Sequence, residues 1–120
     1  EGLTLLADSA AVFSWPQIAT DGAGGMLVSW IDLRDEQNDP ALYATRILGN
    51  GQVAPGWSSG GTLVHRSPWF TYTGGGGYLA PVVCGDGEGG LMLVWQDGRS
   101  MTGSAPYAQH VLANGQLDAR

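Results

Sequence analysis

Lysine is absent from this 120-residue chain, and charged residues of every kind make up only 13% of it. The five basic residues are all Arg and face eleven Asp and Glu, for a formal charge of −6. A surface of that sign repels phosphate backbones and anionic headgroups, which argues against nucleic acid and membrane surfaces as partners. Long apolar runs are missing too: the longest, such as MLVSW at 26–30, are far too short to span a bilayer, so no membrane insertion is expected. Cysteine occurs once, at Cys84, which excludes an internal disulfide framework. Its neighbours Val82 and Val83 lead us to expect a buried small hydrophobe there. The chain opens at Glu1 without a basic, apolar leader, so any signal peptide is expected to have been removed or to lie outside this sequence.

What the chain does contain is glycine, with twenty residues, and six prolines. Both interrupt helices and favour short strands joined by tight turns. Disorder is excluded by the 43% of hydrophobic residues, five Trp among them, which supply surface to bury. The length is that of one domain or a piece of one.

The sequence repeats itself. Residues 16–34, PQIATDGAGGMLVSWIDLR, align without gaps on residues 81–99, PVVCGDGEGGLMLVWQDGR, with Pro16/Pro81, Asp21/Asp86, Trp30/Trp95, Asp32/Asp97 and Arg34/Arg99 identical. After a one-residue deletion the match resumes through Tyr43/Tyr107, Ala44/Ala108, Leu48/Leu112 and the Asn-Gly-Gln of 50–52 and 114–116. Each repeat reads as a meander of short strands. In the first, A is 17–20, B is 25–32, C is 42–48 and D is 62–64; in the second, A is 82–84, B is 91–97 and C is 107–112. Asp-Gly and Asn-Gly supply the positive φ angles that hairpin turns need. Strand B of the first repeat is apolar on both faces, with Met26, Val28 and Trp30 on one and Leu27 and Ile31 on the other, as in a sheet packed between two others. The second repeat lacks its D strand, yet 2–6, GLTLL, is similar to 60–64, GGTLV.

The pattern P-x5-DG-x-GG-x4-W-x-D-x-R followed by Y-A resembles the blade repeats of large secreted bacterial β-propeller proteins, over nearly the whole chain. The resemblance implies an all-β fold of two four-stranded antiparallel blades in the order D-ABCD-ABC. Residues 1–6 would be a D strand completing a blade, 7–66 the first blade repeat and 67–120 the second, lacking its D strand. The period of about 60 to 65 residues is longer than the roughly 40 to 50 of common blades, a difference that loops absorb. It also implies a secreted or cell-surface location, while leaving the reaction or ligand open. Propellers close with about 4 to 8 blades, so two are expected to be completed by self-association into a ring or by further blades of a longer chain.

In that topology the long connections, 7–15, 33–41, 66–79 and 98–106, share one end of the blades. In loop 66–79, Trp69, Phe70, Tyr72 and Tyr78 are aromatics that no strand requires, suited to stacking on sugar rings or anchoring a protein partner, or to plugging a seam between blades. Asp32 and Arg34, like Asp97 and Arg99, stand two residues apart at the end of strand B. Their repetition beside Trp30 and Trp95 suits a structural ion pair between blades, with an anion or sugar contact through Arg34 and Arg99 as the alternative. Asp21, Asp86 and Glu88 fit turn chemistry better than a calcium loop. His65 and His110 have no Cys, His or Glu at ligand spacing, so no metal and no cofactor is expected. No nucleophile-base arrangement stands out. The sequence therefore leads to a non-enzymatic extracellular module that binds carbohydrate or protein through Trp69, Phe70, Tyr72, Arg34 and Arg99. Two alternatives stand beside it: a self-assembling spacer of a surface layer or fibre, and a glycan hydrolase or lyase that gathers Asp32, Asp97 and Tyr72 around one pocket.

Overall fold

A computed structural model describes residues 14–34, 40–67, 72–73, 77–78, 80–100 and 103–120. Among them every regular element is a strand. Sheet 1 is an antiparallel meander of β1 (Ser14–Thr20), β2 (Met26–Asp32), β3 (Ala41–Ile47) and β4 (Thr62–Arg66). A two-stranded hairpin follows, β5 (Tyr72–Thr73) with β6 (Gly77–Tyr78). Sheet 2 contains β7 (Val82–Gly85), β8 (Leu91–Ser100) and β9 (Gly103–Val111). These are the A, B, C, D and A, B, C strands expected from the repeat, and the segment 2–6 lies outside the described residues.

The two repeats share their turns as well as their strands. In the Asp-Gly turns, Gly22 and Gly87 have φ of 73° and 84°, where a side chain is strained. In the Asn-Gly-Gln turns the Leu48 amide donates to the Gln52 carbonyl, and the Leu112 amide to that of Gln116, both at 2.8 Å. The connection between B and C of the second repeat differs from expectation. The stretch 98–106 is not a long loop, because pairing continues past an irregularity after Asp97 to join Ser100 with Gly103. Likewise loop 66–79 contains the β5–β6 hairpin. Glycine marked both places as loops, yet an antiparallel ladder tolerates glycine where the strands turn back on themselves.

The sheets stack face to face. Leu27, Ile31, Leu42, Ala44 and Val64 of sheet 1 meet Leu91, Leu93, Trp95 and Val111 of sheet 2 in one core. Strand period then places Met26, Val28 and Trp30 on the outer face of sheet 1, and Met92, Val94 and Gln96 on the outer face of sheet 2. Register adds Ile18 and Leu63 to the first outer face, opposite Val28 and Tyr43, and Val82 and Cys84 to the second, opposite Val94 and Met92. Val28, Trp30, Ala41 and Tyr43 form a second buried cluster on the outer side of sheet 1, so β2 is buried on both sides from Leu27 onward as its sequence implies, while Met26 is exposed. Strand β8 instead alternates between buried and exposed. Cys84, expected in the core, is exposed. Apolar neighbours suggest burial, but the pairing of Cys84 with Met92 puts the thiol on the open face of sheet 2, beside the exposed Val82.

Candidate functional site

At one end of sheet 1 the Trp-x-Asp-x-Arg motif closes into a corner. Asp32 is fully buried at the end of β2, two residues from Trp30 and on the same face. The Trp30 indole Nε1 donates to Asp32 Oδ2 at 2.9 Å, and Arg34 Nε donates to the same oxygen, also at 2.9 Å. The Arg34 amide donates to Oδ1 at 3.1 Å. The guanidinium continues to the Gly60 carbonyl at 2.7 Å and lies 3.7 Å from the centre of the Tyr43 ring, which stacks on Trp30. Burial pushes the Tyr43 phenol up, partly offset by Arg34. The corner thus ties the end of β2 to β3 and to the turn before β4. Asp32 and Arg34 brace one sheet internally, where the sequence suggested a bridge between sheets, with the Arg34 guanidinium bound to Asp32 and Gly60.

In the second repeat the Trp and Asp of the motif meet a residue of the other sheet. Asp97 is fully buried, and His65 of β4, across the sheet interface, brings Nε2 to 3.3 Å from Asp97 Oδ2. His65 stacks on Trp95 with ring centres 5.4 Å apart, and Trp95 stacks on Tyr107. Trp95 Nε1 is buried without a hydrogen-bond partner. Here the bridge between sheets does exist, but it is made by a histidine whose role the sequence reading missed.

The opposite end holds a second set of braces. Asp21 Oδ1 accepts the amides of Ala23 and Gly25, at 2.8 and 2.7 Å, and Arg46 of β3 reaches Oδ2 at 3.0 Å. The Ala23 amide, ahead of the Gly25 amide and Arg46, holds this carboxyl below its usual range. Asp86 Oδ1 likewise accepts the amides of Glu88 and Gly90, while Oδ2 lies 2.8 Å from His110 Nε2. His110 Nδ1 lies 3.2 Å from Asp118 Oδ2. The acidic residues of these turns act as turn formers, and among the described residues no His, Cys, Asp and Glu cluster is placed to hold a metal ion. Aligning the repeats puts Arg46 on His110, which was the available signal for the pair.

Of the ligand-binding candidates, Trp69 and Phe70 lie outside the described residues. Tyr72 pairs with Tyr78 across the β5–β6 hairpin, and Arg99 lies on β8; the side chains of Tyr72 and Arg99 are outside the described part. Only Arg34 is placed in full. No protein-family model matches the chain, and searches of curated proteins and of solved structures return no match.

Proposed function

We propose that the chain is a pair of β-propeller-type blades that works as a self-assembling extracellular module. In this reading, further copies supply the sheets that cover its outer faces. The observation that supports it is the kind of contact the two sheets make. The face of sheet 1 bearing Leu27, Ser29 and Ile31 packs against the face of sheet 2 bearing Leu91, Leu93 and Trp95, yet its counterparts in the second repeat are Met92, Val94 and Gln96. Unlike faces of equivalent sheets are therefore in contact. Such a head-to-tail contact can be repeated by each added sheet, closing into a ring or running on as a fibre, whereas contact between like faces ends with a pair.

The exposed apolar residues follow the same logic. Ile18, Met26 and Leu63 lie exposed on the outer face of sheet 1, and Val82 (66% exposed), Met92 and Val94 (43%) on that of sheet 2. Such grouping is what a docking face requires. A secreted or surface location and closure at about 4 to 8 blades belong to this proposal.

A second reading, binding of a carbohydrate or protein ligand at the loop end, draws on the Tyr72–Tyr78 register, which sets two aromatic residues opposite each other on a hairpin. Sedimentation velocity tests the first reading. The wild-type chain should form a discrete oligomer, and Val94→Arg, on the open face, should weaken association at least about tenfold while leaving the far-ultraviolet circular dichroism unchanged. A wild-type chain that stays monomeric at millimolar concentration refutes self-assembly.

A further inference from the structure

At their turn ends the two repeats hold the Asp of the Asp-Gly turn with different ionisable side chains. In the first, the Asp21 carboxylate is held by Arg46, a cation at every physiological pH. In the second, Arg46 is replaced by His110, and a further carboxylate, Asp118, stands on the other side of the ring. Both imidazole nitrogens thus face carboxylates, Nε2 at 2.8 Å from Asp86 and Nδ1 at 3.2 Å from Asp118. A neutral imidazole has one N–H and can satisfy only one of them; the imidazolium has two and satisfies both.

Residues 117–120 are tied to β9 around this pair. The Asp118 amide donates to the His110 carbonyl at 2.9 Å, Gln109 Nε2 donates to the Asp118 carbonyl at 2.8 Å, and Leu117 bridges Val111. The other charged groups around the ring are Arg120, bound to Asp118 at 2.7 Å, and Glu88, which is exposed on the Asp86 turn. Across the interface, Arg46 abuts Gly89 of that turn. On β8 the register partner of His110 is the uncharged Met92.

We propose that His110 is a pH-sensitive latch that clamps residues 117–120 to the Asp86 turn while its ring is protonated and releases them when the proton leaves. The proton goes to solvent, and one of the two carboxylates is left facing an unprotonated nitrogen. The hydrogen bond to Asp86 raises the His110 pKa, burial opposes it, and Asp118 adds to the rise. Burial alone would lift Asp86, but hydrogen bonds from His110 and from the Glu88 and Gly90 amides outweigh it and hold Asp86 low. Asp118 is held low first by Arg120. The latch is therefore complete once both carboxylates are ionised, holds in full below the ordinary histidine midpoint, and is lost as pH rises through the elevated His110 midpoint.

The test is an NMR titration of the 120-residue chain, with His110 assigned by comparison with His110→Arg, read together with exchange of the Asp118 amide. The His110 midpoint should lie above that of an unperturbed histidine. Opening of the segment, read from Asp118 exchange corrected for intrinsic rate, should increase about tenfold per unit of that elevation once the ring is neutral. His110→Arg, which copies Arg46, should remove the pH dependence and keep the amide protected, whereas His110→Ala should leave it unprotected throughout. A midpoint at or below the ordinary value, or Asp118 exchange with the same pH dependence in wild type and His110→Arg, overturns the proposal.

Discussion

Replacing Asp32 by Ala tests whether the Trp-x-Asp-x-Arg corner is structural. Asp32 has no solvent exposure and accepts from three donors, the Trp30 indole, the Arg34 side chain and the Arg34 amide. Stranding one buried neutral donor costs about 1–3 kcal/mol, and removing one partner of a fully buried ion pair about 3–5 kcal/mol. Arg34 keeps some access to water, with its side chain 19% exposed, and retains its bond to Gly60, so the lower end of the second range applies. We expect Asp32→Ala to lose about 3 kcal/mol, which for a domain of this size lowers the melting temperature by roughly 10 °C. Urea unfolding followed by tryptophan fluorescence measures it. Asp32→Asn preserves the shape and should lose less, which keeps the test usable if the Ala variant does not fold. A loss below about 1 kcal/mol for Asp32→Ala, or Asp32→Ala and Arg34→Ala effects that simply add, would show that the corner does not hold β2 to β3 and β4.

Two further substitutions probe the packing around the core by the same unfolding measurement. The Ser29 hydroxyl is buried in the sheet interface with no hydrogen-bond partner, so Ser29→Ala should leave stability unchanged or raise it by up to about 1 kcal/mol, and a clear loss would mean that the hydroxyl is satisfied. Gly61 has φ of 88°, and a Cβ there would lie 2.5 Å from Trp30 Cη2, so Gly61→Ala should cost at least about 2 kcal/mol from backbone strain and overpacking together; a neutral result would place the Trp30 ring elsewhere.

Strand order was legible because the repeat carries its own check: a residue pattern seen once can be chance, but Asp21-Gly22 and Asp86-Gly87 a fixed distance apart, each before an apolar strand, mark the same hairpin twice. Burial on both faces of β2 was legible from the apolar residues on both its faces, Val28 and Trp30 on one and Leu27 and Ile31 on the other, although the similar run 91–95 of β8 is covered on one face only. The ends of β8 and β9 were not, because Gly98, Gly103 and Pro106 read as loop residues and only the ladder between Ser100 and Gly103 shows that the hairpin goes on. Cys84 was misplaced since neighbouring valines say nothing about which face of an edge strand is covered. The partners of His65 and His110 were out of reach of spacing rules, as Asp97 and Asp86 come from other strands and turns.

One motif in two positions shows how a repeat accommodates its neighbour. In the first sheet the Asp32 carboxylate is shared by Trp30 and Arg34 of its own strand end, and the corner is self-contained. In the second, Asp97 lies against His65 of the preceding sheet's last strand, and the Trp95 indole N–H goes without the bond that Trp30 makes. A buried donor left unsatisfied is unfavourable by about 1–3 kcal/mol, so something else must make that arrangement the stable one. The stacking of His65 on Trp95 and the core shared by Leu27, Ile31, Leu91 and Leu93 are gains that exist only when the sheets are together. At Asp32 the carboxylate is thus held by Trp30 and Arg34 of its own sheet, whereas Asp97 also meets a side chain that the preceding sheet delivers, so the same motif position serves the sheet in one repeat and the contact between sheets in the other.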